Sequence, residues 1–201
     1  MKKKIFLLVT LFLLVIMFVV SCKGKSAKDE VVKYCEAMKR FDYQEMAKLT
    51  GKELDTMDMS TFDNKYVKDI LNNIKSNAKK IKYKIEEEKV EDGIAYVKVK
   101  FEYIDLSYVF GQAFADLLKQ SLALAFSGET EEDKMTKVFI DLFMKYVKNN
   151  KEEKKEKTIE FTCTNDNSKW VISSLDMKEM LDVISGGITS ALSNLSNIFS
   201  K

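Results

Sequence analysis

The sequence predicts an α+β domain: N-terminal helices packed on a curved antiparallel sheet of about four strands, a helical hairpin inserted between strands two and three, and a C-terminal helix. Three observations carry this expectation. Apolar residues recur every three to four positions early in the chain, and the period falls to two across residues 81–103 and again across 159–172. Asp92-Gly93 then separates two alternating runs, a strong hairpin signal because glycine accepts the positive φ of a tight turn. Composition agrees with a globular chain, since 46% of the 201 residues are hydrophobic and 32% are charged.

Taken in order, Ser26-Ala27-Lys28-Asp29 reads as a capping box, and Val31, Cys35 and Met38 form the buried stripe of the helix it opens. Asp42 starts a short helix carrying Met46 and Leu49, and Gly51 suits its end. After a looser segment, 57–60, a third helix follows from Phe62, Tyr66, Ile70, Ile74 and Ala78. Ile81, Tyr83 and Ile85 alternate with lysines. Beyond the turn, Ala95, Val97, Val99, Phe101 and Tyr103 alternate with polar residues and Tyr96.

Residues 107–126 then read as a helix with only Asp116 and Lys119 charged, so bare that it is expected to be covered on most sides. Its charges lie mid-segment, where each costs ~2.5–3.5 kcal/mol at a bilayer centre, which argues against spanning. Thr130 caps a partner helix whose stripe is Met135, Val138, Phe139, Leu142, Phe143 and Tyr146. The mixed-sign run 148–157 reads as a solvated loop. Pairing resumes with Ile159, Phe161 and Cys163. Asn165-Asp166-Asn167-Ser168 turns the chain into Trp170 and Ile172. Asp176 caps the last helix, with a kink or break expected at Gly186-Gly187, since glycine costs a helix interior ~1 kcal/mol relative to alanine.

The leader decides where this domain works. Lys2, Lys3 and Lys4 precede an apolar run, 5–20, that closes on Val19-Val20-Ser21-Cys22. The closure resembles a bacterial lipobox, in which a signal peptidase cuts before a cysteine whose thiol carries diacylglycerol. At about 16 residues the run is shorter than the ~20 a spanning helix needs. The resemblance implies a signal peptide over 1–21 and lipid, palmitate included, on Cys22. A tether over 22–26 and a single domain over 27–201 follow, with the helical insertion at 107–148. It also implies a lipid-anchored place on the outer face of the cell membrane.

Charge and residue usage exclude several functions. The net charge of +2 includes the three leader lysines, and without them 30 basic residues face 31 acidic ones, which is no footprint for nucleic acid. Arg40 is the sole arginine, so a bidentate phosphate clamp is available once. Histidine is absent, which removes the commonest general base and metal ligand and every Ser-His-Asp or Cys-His scheme. Cys35 and Cys163 fall on apolar faces as small buried hydrophobes. A disulfide between them is permitted in an oxidising compartment, provided that their Cα atoms come within ~7 Å.

Three stretches carry a wider resemblance: Val31-Val32-Lys33-Tyr34 through Asp42-Tyr43, Asp92-Gly93-Ile94-Ala95-Tyr96-Val97, and Asn167-Ser168-Lys169-Trp170-Val171-Ile172. Over 27–175 the chain resembles the nuclear transport factor 2-like, cystatin-like α+β fold, and within it small lipoproteins of Gram-positive type. That resemblance implies a curved sheet around a long helix, leaving a conical pocket that different members use for catalysis, ligands or protein contacts. The helical hairpin and the C-terminal helix are departures that plug or roof such a cone.

The inward strand positions offer no carboxylate in phase, so no enzyme, cofactor or metal is expected. Glu86-Glu87-Glu88 and Asp166 read as surface charge. Phe101, Tyr103, Phe161 and Trp170 either line a pocket for a small apolar ligand or fill the core. The apolar content of the helices exceeds what the core obviously needs. Either one face of 110–126, or the Ser/Asn-lined helix after Gly187, docks a partner protein or a second copy, or the helices bury these faces on each other, with Leu117 and Leu195 as the positions to charge. The first expectation is thus a non-catalytic interaction module at the membrane, and the alternative a binder of a small apolar ligand.

Overall fold

Local sequence sets the ends of most elements. In the computed structural model, which describes residues 26–51, 65–127 and 132–199, Ser26 Oγ accepts from the Asp29 N–H at 3.3 Å while Asp29 Oδ2 accepts from the Ser26 N–H at 3.0 Å, completing the expected capping box. Helix α1 (Ala27–Arg40) follows and ends at Phe41 in a left-handed conformation. Asp42 caps α2 (Tyr43–Thr50) and Gly51 closes it at φ 61°. Helix α3 spans Lys65–Ala78. The leader, Cys22, the tether before Ser26, the 57–60 segment, Phe62 and the Thr130 cap lie outside the described residues.

The fold is α+β. Strands β1 (Lys82–Glu91), β2 (Ile94–Ile104), β3 (Lys154–Asp166) and β4 (Lys169–Leu175) form one antiparallel sheet in that order. Helices α4 (Ser107–Ser127) and α5 (Glu132–Asn149) are inserted between β2 and β3, and α6 (Met177–Ser185) and α7 (Ile188–Phe199) complete the chain. Both hairpins turn on two residues with positive φ: Asp92 and Gly93 at 49° and 77°, Asn167 and Ser168 at 49° and 66°. This pairing of signs matches the right-handed twist of the strands.

Strand β2 shows the sheet's logic. Ala95, Val97, Val99 and Phe101 are wholly buried, while the other face carries Tyr96, Lys98, Lys100 and Glu102. On that outer face Lys98 pairs with Glu87 at 2.7 Å, Lys100 with Glu156 at 2.7 Å and Lys154 with Glu102 at 2.9 Å. Such exposed pairs stabilise little individually. The exposed Lys82, Lys84, Glu86 and Glu88 of β1 make that edge unattractive to strand addition.

The run 148–157 is not one loop. Lys154–Lys157 belong to β3 and pair with Ile104–Phe101, because the long β2 needs ladder partners to its end. The charges of the strand portion find partners from elsewhere in the chain: Lys155 reaches Asp105 at 3.2 Å, and Lys157 reaches Glu179 and Asp182 at 3.6 Å each. Mixed signs that read as solvation are, over Lys154–Lys157, ion pairs to β2, to Asp105 and to Glu179 and Asp182.

Two cores result. The first lies between the sheet and α1, α2 and α6, where Tyr34, Met38, Phe101, Phe161, Ile172 and Met180 are almost fully covered. The second lies among α4, α5 and α7 and centres on Leu106, Val109, Phe110, Ala113 and Phe143. The C-terminal helix is broken at the glycine pair, as expected: Gly186 sits at φ 68° and accepts from the Leu106 N–H at 2.7 Å. A Cβ on Gly186 would stand 2.7 Å from the Ile104 carbonyl oxygen, so this junction of the two cores requires glycine.

Candidate functional site

Phe101 and Phe161 are fully buried and their ring centroids lie 6.5 Å apart. Tyr34 of α1 meets Phe161 edge-on at 5.6 Å, so the space between strands and first helix is filled by side chains. Tyr103 is 4% exposed, and burial, with Asp182 and Asp105 adding to it, pushes its hydroxyl up to about 12. Burial likewise drives the Cys35 and Cys163 thiols to about 12 each, and both cysteines are free. They are inert core residues at neutral pH.

Trp170 is separate from the other three candidates. It packs on the rim of the first core and lines a surface groove of about 440 Å³ with Leu49, Val171 and the paired charges Glu30–Lys33 and Glu45–Lys48, at 2.6 and 3.6 Å. Cys22 lies outside the described residues. Among the described residues no group of three potential metal ligands assembles, and no helix is long and apolar enough to cross a membrane.

A polar node joins the cores. Asp105 Oδ1 accepts from the Ser107 N–H at 2.9 Å at the head of α4, and the 5%-exposed Asp182 accepts through Oδ1 from the Ser190 N–H at 2.8 Å at the head of α7. These carboxylates accept from orphan helix N–H groups and pair with Lys155 and Lys157, an arrangement that fixes helices in place.

The feature left over is on α4. Tyr108, Gly111, Ala115, Leu118 and Leu122 follow a three-four spacing along one side of this helix and all five are exposed, Tyr108 by 68% and Leu122 by 63%. The expectation that so bare a helix is covered on most sides is corrected here: α5 and α7 cover one flank through Phe110, Leu117 and Leu195 and leave the other open. A groove of about 480 Å³ between α4 and α7, flanked by Tyr108, Gly111, Ala191 and Asn194, runs beside the stripe. On α7, Leu192 is 52% exposed. The two positions singled out from sequence, Leu117 and Leu195, therefore pack on the second core, while Leu118, Leu122 and Leu192 face outward. The overlooked signal was the regular placing of glycine and alanine between large residues.

No protein-family model, no curated protein and no solved structure matches the chain.

Proposed function

We propose that this chain is a lipoprotein held on the outer face of the cell membrane through lipid on Cys22, and that its domain is a non-catalytic protein-interaction module. The continuous apolar stripe on α4 carries the reading, because a soluble face rarely sets large apolar side chains in a row without a partner. On this reading a four-residue tether, at most ~14 Å long, joins Cys22 to the head of α1. That head is fastened toward the β1–β2 tip by the Lys28 N–H, which donates to Glu88 Oε1 at 3.0 Å. Helix α4 leaves from the opposite end of β2, an eleven-residue strand of roughly 35 Å, so the start of α4 lies at the end of the sheet remote from the anchor.

The resemblance to nuclear transport factor 2-like lipoproteins is part of this proposal and is supported by the order of three helices before a four-strand antiparallel sheet. The complete burial of Phe101 and Phe161 favours interaction over the alternative, a small apolar ligand among Phe101, Tyr103, Phe161 and Trp170. The intact mass of the membrane-extracted protein tests the anchor, with a mature chain beginning at acylated Cys22 expected. Photo-cross-linking in cells from position 118, against position 98 on the outer sheet face, tests the surface. Adducts from 118 alone are expected, and equal labelling or none from either position counts against the module.

A further inference from the structure

We propose that the stripe on α4 pairs with the same stripe on a second copy of this chain, the two helices antiparallel across a two-fold axis. This deepens the interaction-module reading and rests on it. Gly111 is the first ground. It lies inside a helix, its φ is outside the left-handed region, and a Cβ built on it meets nothing within 4 Å. Neither the backbone nor the packing of one copy asks for glycine there, although glycine weakens a helix. A close approach from outside does ask for it.

The second ground is size. Small Gly111 and Ala115 occupy the first half of the stripe's inner four positions and large Leu118 and Leu122 the second. In an antiparallel pair, Gly111 faces Leu122 of the second copy and Ala115 faces its Leu118. Both pairs share one midpoint, between residues 116 and 117, which is the condition for a single two-fold to make all four contacts at once. Each knob meets a hole, and one self-complementary patch serves both copies.

Charge does not oppose the arrangement. Along the stripe's flanks the polar residues are Gln112, Lys119 and Ser121, and Asp116 on the far side is compensated within its own copy by Lys119 at 2.9 Å and by the Tyr146 hydroxyl. The contact runs ~17 Å, from Gly111 to Leu122. A patch of a few hundred Å² on each copy stays below the roughly 1,200 Å² of an ordinary stable interface. Pairing is therefore weak in dilute solution and becomes populated when anchored copies share a membrane, where effective concentration is high.

The test uses the full acylated chain in phospholipid vesicles. Gly111→Cys and Leu122→Cys, carried on different copies, are expected to form an interchain disulfide several-fold faster than either variant alone; Leu122→Cys linking as readily with itself, or no linking at all, overturns the antiparallel pair. Gly111→Leu is expected to leave the melting temperature undiminished while cutting linkage between Ala115→Cys and Leu118→Cys at least fivefold, and adding Leu122→Ala, which exchanges knob and hole, is expected to restore it. A lower melting temperature in both Gly111→Leu and Gly111→Ala shows that the glycine serves the single copy and overturns the proposal. Linkage from position 118 in cells only to a different protein, with the purified chain monomeric on vesicles, also overturns it. Flotation of the same samples reads the anchor separately: a chain that floats without linking loses the pair and keeps the anchor, and one that links without floating does the reverse.

Discussion

The two cores differ in how completely they close. Around the sheet, Val31, Cys35, Val97, Val99, Phe101, Phe161 and Met180 have no exposure, and the strands' other face is charged. Among α4, α5 and α7 the centre is closed at Ala113 and Phe143, but its margin leaks, Phe110 at 7%, Leu142 and Ile188 at 9%, and leucines stand open on the outer side. An antiparallel sheet needs only one covered face, because alternation makes the second one polar. Helix α4 has apolar residues on more than one side, and its two neighbours leave Leu118 and Leu122 uncovered. The sheet core is closed, and the helical layer leaves the apolar surface on which the proposed contact rests.

The most damaging way to probe that contrast is to empty the sealed core. Phe161→Ala is expected to cost about 3–5 kcal/mol, whereas Leu122→Ala on the open side stays within about 0.5 kcal/mol. Urea unfolding checks both, with Trp170, the chain's single tryptophan, reporting the sheet and far-ultraviolet circular dichroism reporting the helices. Equal losses from the two substitutions would mean that Leu122 is structural after all.

Next in size is the junction. Gly186→Ala places a methyl 2.7 Å from the Ile104 carbonyl oxygen at φ 68°, and a cost of about 1–3 kcal/mol is expected. Gly51→Ala is the control, since it has a similar φ of 61° but an ordinary 3.4 Å contact with Val171. The excess of the first over the second measures how tightly the helical layer is fastened to the sheet. Identical losses would show that backbone strain alone sets the cost and that the close approach yields.

These contrasts were unequally legible in the sequence. The capping box at Ser26, the turn at Asp92-Gly93, the break at Gly186-Gly187 and the inward face of β2 are local, and each was readable from a few neighbouring residues. The β3 extension over Lys154–Lys157 was not, because its charges are satisfied by Lys100, Glu102, Asp105 and Asp182, all remote in sequence. The surplus of apolar residues on α4 was visible from composition. Its direction was not, since whether Leu117 or Leu118 faces out depends on where α5 and α7 dock. The filled interior beneath α1 depends similarly on Tyr34 meeting Phe161, a contact between helix and strand that no local pattern encodes.

The gentlest probe titrates the link between the cores. Burial pushes the Asp105 carboxyl up, but the Ser107 hydroxyl and N–H and the Lys155 ammonium outweigh it and hold it below its ordinary 3.8. With the folded value depressed, the unfolded chain binds more protons as the medium becomes acidic. The contribution of Asp105 is therefore full above the unfolded pKa and lost as pH falls below about 4 and through the folded value. Asp105→Asn keeps an acceptor for the Ser107 N–H but removes the negative charge at the head of α4, which is expected to cost about 0.3–1 kcal/mol at neutral pH. Paired urea titrations of the two proteins should show that gap constant above about pH 5 and closing toward pH 3, as the native carboxyl takes up its proton. A gap that persists undiminished in acid would mean that asparagine fails by shape, and that the charge at Asp105 contributes nothing to holding the helical layer on the sheet.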